Sequence, residues 1–131
     1  MHEQWKEYIP NTIPKGNYEV ISVTQDSKGT IIVVQSDYHN ITISFEFADA
    51  LRICDEGRRI KTYNEAEGIQ LYRKDFYGTP LYQVINSRFY DWLVQESAGF
   101  YTEFNHYAIV TLNDIVDIIS SSPPEILIES L

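Results

Sequence analysis

The stretch Ile41-Thr42-Ile43-Ser44-Phe45-Glu46-Phe47 alternates apolar and polar side chains residue by residue. Successive side chains of a strand point to opposite faces. Ile41, Ile43, Phe45 and Phe47 are therefore expected on a core, and Thr42, Ser44 and Glu46 on water or a second layer. Just upstream, Thr30 to Ser36 contains Ile31-Ile32-Val33-Val34, β-branched throughout and apolar on both faces, which suits a central strand. Asn17 to Gln25, with Tyr18, Val20, Ile21 and Val23, reads as a third strand. Asp26-Ser27-Lys28-Gly29 and Asp37-Tyr38-His39-Asn40 are turns between them, since Asp favours the first turn position and Gly accepts a positive φ. Three strands joined by short turns make an antiparallel meander.

Outward from this meander the pattern changes. Residues 1–16 read as a short polar helix or coil, then a loop with Pro10 and Pro14 that Gly16 closes. Ala48 to Thr79 has a weaker signal, mixed charge around Leu51, Ile53 and Ile60, and suggests irregular strands and loops. Leu81 to Ile85 is a short strand after Pro80. Residues 86–98 are the main helix: Asn86 or Ser87 can cap it, and Ile85, Phe89, Trp92 and Leu93 share one face at helical spacing. Gly99 sits where a left-handed terminator is wanted. Asn105 to Leu112 is a strand. Asn113-Asp114 opens a hairpin or a helix, and the β-branched Ile115, Val116, Ile118 and Ile119 favour a strand there. Ser120 to Pro124 breaks it, and Ile126 to Ile128 adds a last strand. The expected fold is α+β: an antiparallel, mostly meander β-sheet with one main helix (about 86–98) packed on it, in a single domain spanning 1–131.

Composition bounds the function. The chain has 131 residues, 44% hydrophobic and 22% charged, enough for a globular core without a metal or disulfide staple. Cys54 is its one cysteine, so no disulfide can form within the chain, which favours a reducing compartment. No secretion-signal pattern and no span-length apolar run is seen, so a cytoplasmic location is expected. The net charge is −9, and from Phe89 onward there are seven acids (Asp91, Glu96, Glu103, Asp114, Asp117, Glu125, Glu129) with no Lys or Arg. Such a surface repels nucleic acid and anionic membrane and attracts a basic partner, or simply keeps the chain in solution.

No catalytic pattern stands out. His2, His39 and His106 lack the short regular spacing of metal ligands, so no metal and no cofactor are expected. Cys54 precedes Asp55 and Glu56, which oppose a reactive thiolate. The basic run Arg58-Arg59-Ile60-Lys61 is flanked by acids and reads as a solvated strand or loop, too small for a nucleic-acid patch. There is no phosphate loop, no G-x-S-x-G and no H-E-x-x-H. No catalytic residues are assigned.

The region from Tyr90 to Phe104 interleaves aromatic and acidic residues, as protein interfaces do. Phe89 and Trp92 belong to the helix's core face. Tyr90, Asp91, Glu96, Tyr101 and Glu103 are the candidate partner-binding residues.

One wider pattern links Asn86-Ser87, Phe89-Tyr90-Asp91-Trp92-Leu93, His106-Tyr107-Ala108-Ile109-Val110-Thr111, Asp114-Ile115-Val116-Asp117-Ile118-Ile119 and Pro123-Pro124. Ile43-Ser44-Phe45, Arg52 and Asp55-Glu56-Gly57 precede it. Over roughly residues 40 to 124 the chain resembles small immunity-type proteins encoded beside secreted polymorphic toxins in Gram-positive bacteria. The resemblance implies a cytoplasmic binding protein that neutralises a cognate toxin by occluding its active site, and it carries over no binding residues. Two other readings stand beside it: a small enzyme using His39 or His106 with a carboxylate, and a homo-oligomeric structural or regulatory protein, such as a homodimer paired through a strand edge.

Overall fold

The computed structural model describes residues 3–69, 77–99 and 103–131. Among the described residues, nine strands form two antiparallel sheets: β1 (Gln4–Glu7), β2 (Glu19–Asp26), β3 (Gly29–Gln35), β4 (His39–Phe45), β5 (Ala50–Asp55), β6 (Leu81–Ile85), β7 (Asn105–Val110), β8 (Asp114–Ser120) and β9 (Glu125–Ser130). The described helices are short: a single 3-10 turn, Glu56–Arg58, then α1 (Ile60–Glu65) and α2 (Arg88–Glu96). One sheet has the order β1-β6-β7-β8-β5, the other β2-β3-β4-β9.

This overturns the α+β expectation of one meander sheet with a main helix packed on it. The β2-β3-β4 meander does form, with β9 added beside β4. Its inner face is covered by the second sheet. Ile32, Val34, Ile41, Ile43 and Phe45 from one side pack against Leu81, Tyr107, Ile109, Val116 and Ile118 from the other. Removing each such aliphatic side chain from water contributes about 1.5–3 kcal/mol, so this interlayer holds the fold. Phe47 was expected inside but is exposed, because β4 stops at Phe45 and the chain bends away.

The five-stranded sheet buries both faces. Its outer face carries Trp5, Tyr82, Val84, Ala108, Val110 and Ile115, under Tyr63 and Ala66 of the α1 region and Ile69. Residues 4–7 therefore form a strand and not a helix or coil. Antiparallel pairing with β6 sets Trp5 opposite Val84, a tertiary partner that local sequence does not announce. Beyond β1, Gln4 bridges Glu67 in parallel. Gly68, at φ +107, lets the backbone pass against the Trp5 carbonyl, where any Cβ would collide.

Ser87, in extended conformation, caps α2 by accepting a 2.9 Å hydrogen bond from the Tyr90 N–H. Asp91 in the first turn complements the helix dipole. At the far end, Ala98 (φ 54) and Gly99 (φ 76) turn the chain back, and the Gly99 N–H reaches the Val94 carbonyl at 2.8 Å. Phe89 is the one buried residue of α2. Trp92, assigned by spacing to the core face, is 51% exposed. Among the described residues, no helix is long and apolar enough to cross a membrane.

Candidate functional site

Asp117 lies in the middle of the apolar run of β8. Its register sets it opposite Arg52 on β5 and Ala108 on β7, so all three share the outer face of the sheet. His106 on β7 faces Ile119 across the ladder and reaches Asp117 diagonally. The Asp117 side chain is wholly buried and the His106 residue 2% exposed. His106 Nε2 lies 2.7 Å from Asp117 Oδ1, and Ser87 Oγ lies 2.6 Å from His106 Nδ1. The second carboxylate oxygen, Oδ2, accepts from Arg52 Nε at 3.0 Å and from Arg59 Nη1 at 2.6 Å, with Arg52 Nη2 at 2.9 Å. Arg59, at the start of α1, also donates to Thr62 Oγ1 at 3.0 Å.

An ionised Asp117 can only accept, so Nε2 carries a hydrogen. Ser87 Oγ accepts from the Tyr90 N–H and also bonds His106 Nδ1, since a hydroxyl has one donor and two acceptor sites. Burial alone would push the Asp117 carboxyl up. The His106 hydrogen bond and charge, then Arg59 and Arg52, more than reverse this and hold it well below the usual carboxylate range.

Serine, histidine and aspartate in a row invite comparison with a hydrolytic triad. Two features separate them. The serine residue is only 6% exposed and its oxygen is occupied as a helix cap. The neighbouring cleft is also lined by other residues. That cleft, about 720 Å³, runs between β5 and α2, with Ala50 and Arg52 on one side and Arg88, Phe89, Trp92 and Leu93 on the other. Phe89 closes the wall between cleft and cluster. Its ring lies under the Arg52 guanidinium (4.3 Å to the centroid), edge-on to His106 (5.6 Å) and stacked on Trp92 (5.7 Å, 10° between planes). The cluster thus clamps α2, the start of α1 and β5 onto β7 and β8.

The candidate partner-binding residues are only partly gathered. Asp91 and Glu96 are exposed on α2. Tyr90 is half-buried, its ring edge-on to Phe104 at 6.3 Å. Glu103 is exposed, and Tyr101 lies outside the described residues. The seven late acids do not form one face: Asp117 is buried and neutralised, Asp114 sits at the β7–β8 turn, and Glu125 and Glu129 lie on β9 in the other sheet. Sheet topology separates what is contiguous along the chain. Arg59, read as part of a solvated run, is instead an ion-pair partner inside the molecule.

Ser87, Arg52, Arg59 and Asp117 escaped reading as a group because they come from four separate elements. One signal was available: a lone acid inside Ile115-Val116-Asp117-Ile118-Ile119 cannot be buried without partners. The fold brings Ser87, His106, Asp117 and Arg52 together. Among the described residues, no three His, Cys, Asp or Glu side chains are grouped to hold a metal ion. Compared with protein-family models, with curated proteins and with solved structures, the chain matches none.

Proposed function

We propose that this chain is a non-catalytic protein-binding module, of the immunity type, that occludes the active site of a basic toxin through the surface around α2. The observation that supports it is Trp92: a large ring 51% exposed, stacked on the buried Phe89, at the mouth of the β5–α2 cleft. Exposed aromatic anchors on a rigid base contribute most of the energy in protein interfaces. Asp91 and Glu96 on the same helix, and the net charge of −9, favour a cationic counterpart and speed its encounter. The acids of β9 are not part of this surface.

The test is co-expression with the toxin-like product of the adjacent gene. The expected result is rescue of growth and a complex that co-purifies, weakens with salt, and is lost in Trp92→Ala. No rescue and no complex removes the reading.

A second reading rests on the Ser87–His106–Asp117 row: an acyl-transfer enzyme whose serine is uncovered by movement of α2. A fluorophosphonate that labels the native chain, and leaves Ser87→Ala unlabelled, favours it over the binding module.

A further inference from the structure

The β5–α2 cleft opens onto a sheet edge. Among the described residues, no strand pairs with the far side of β5. The opposite edge of the same sheet is guarded: beyond β1, the Trp5 N–H reaches the Glu67 carbonyl at 2.7 Å and the Glu67 N–H reaches the Glu3 carbonyl at 3.0 Å. The β5 sequence, Ala50-Leu51-Arg52-Ile53-Cys54-Asp55, holds no proline, and its one cation is turned to Asp117. Proline and an outward lysine, two usual devices against edge pairing, are missing here, while the inward-turned Arg52 is present.

Apolar surface lies exposed on both sides of that edge. Toward the outer face stands Trp92, with the cleft at its side. Toward the inner face Ile53 is 48% exposed, and Leu51, half-buried against the interlayer core, also lines the cleft, so the cleft reaches the strand itself. A small molecule in the cleft leaves Ile53 bare. An added strand, whose side chains alternate between faces, covers both. Acids mark each end of the edge, Asp49 before β5 and Asp55 at its last position. Asp49 Oδ2 has no hydrogen-bond partner, and burial pushes this carboxyl up.

We infer that β5 accepts an extended segment of a partner protein as a sixth strand, with apolar side chains alternating between the Trp92 cleft and Ile53 and a Lys or Arg beyond each end. The inference rests on the binding-module reading and names how its partner engages. Arg52 is held at Asp117, whose single carboxylate it shares with Arg59.

The probe is the acetylated, amidated peptide Lys-Val-Thr-Val-Phe-Val-Lys, titrated into the full chain and followed by amide NMR. Expected are shifts concentrated in residues 50–55 and the Trp92 indole. Ile53→Lys and Trp92→Ala should each weaken binding about tenfold or more, from lost apolar contact. N-methylation of one alternate set of peptide nitrogens should weaken it similarly, from lost ladder bonds, while the other set is tolerated. No shifts at millimolar peptide, or both methylated peptides binding as well as the parent, overturns the inference. A dimer of the chain that dissociates in Ile53→Lys also overturns it, because a second copy then fills the edge. If the adjacent gene product still co-purifies with Ile53→Lys undiminished, strand addition fails while the binding-module reading survives. If no such complex exists, that reading itself fails.

Discussion

His106 Nε2 stands 2.7 Å from Asp117 Oδ1, at a position where neither side chain meets solvent. The pair joins β7 to β8 by a side-chain bond in addition to their backbone ladder. Through Ser87 on one side and Arg52 and Arg59 on the other, it extends to α2, β5 and α1.

Removing the charge of Asp117 leaves two arginines facing each other beside a buried amide. Asp117→Asn should cost about 3–5 kcal/mol, the usual loss when one member of a buried ion pair is removed. Urea denaturation measures it; a loss under about 1 kcal/mol would mean the cluster is solvated.

The same carboxylate sets an acid limit. Its folded pKa lies below the unfolded value, so the unfolded chain binds the proton first. The stabilisation is complete above the unfolded value of about 3.9 and drains away as pH falls below it toward the folded value. Native stability measured from pH 6 downward should fall over that range, and Asp117→Asn should flatten the fall.

Ser87 serves α2 and His106 at once. Ser87→Ala should cost about 1–2 kcal/mol, from the lost cap and the stranded Nδ1. Combined with His106→Gln, its cost should be non-additive by about 1 kcal/mol. Additive losses in the double-mutant cycle would mean the two side chains do not act together.

Trp92 should behave as a surface ring. Trp92→Ala should cost about 1–2 kcal/mol, the worth of one stacked aromatic pair with partial burial, against about 3–5 for a fully buried tryptophan. Trp92→Phe leaves the buried Trp5 as the sole indole, whose emission should resist quenching by iodide. Strong quenching in that variant would place the exposed indole at Trp5 instead.

Alkali should unfold the chain through its buried phenols. Tyr82, Tyr18 and Tyr107 are all pushed up, mainly by burial. Their stabilising contribution is present below the unfolded value of about 10 and is lost as pH rises above it. Tyr82→Phe should move the alkaline midpoint upward, read by phenolate absorbance and circular dichroism together.

The meander and the α2 cap were legible because their signals are local. The Ile41 to Phe45 alternation and the turns at Asp26 and Asp37 lie within a few residues of each other, and Ser87 precedes its helix directly. The strand character of β8 was legible from its β-branched run. The Gln4–Glu7 strand was not: four residues around one tryptophan acquire their conformation from β6. Nor was β5, whose mixed charges make sense only once Arg52 faces Asp117. Trp92 was misjudged because helical spacing tells which residues share a face, not how much of that face is covered.

By itself the amino-acid order determined where most strands run, where α2 begins and ends, and that the molecule carries a strong negative charge. Only the tertiary structure decided that the strands divide into two facing sheets and that the late acids scatter. It alone gathered a serine, a histidine, an aspartate and two arginines from distant positions into one buried cluster. The reason is the range of the forces: turns, caps and alternation are settled by neighbours along the chain. Sheet partnership depends on residues as distant as His39 and Ser130, and ion pairing inside the core on Arg52 and Asp117, 65 positions apart; both become favourable only after the layers have closed.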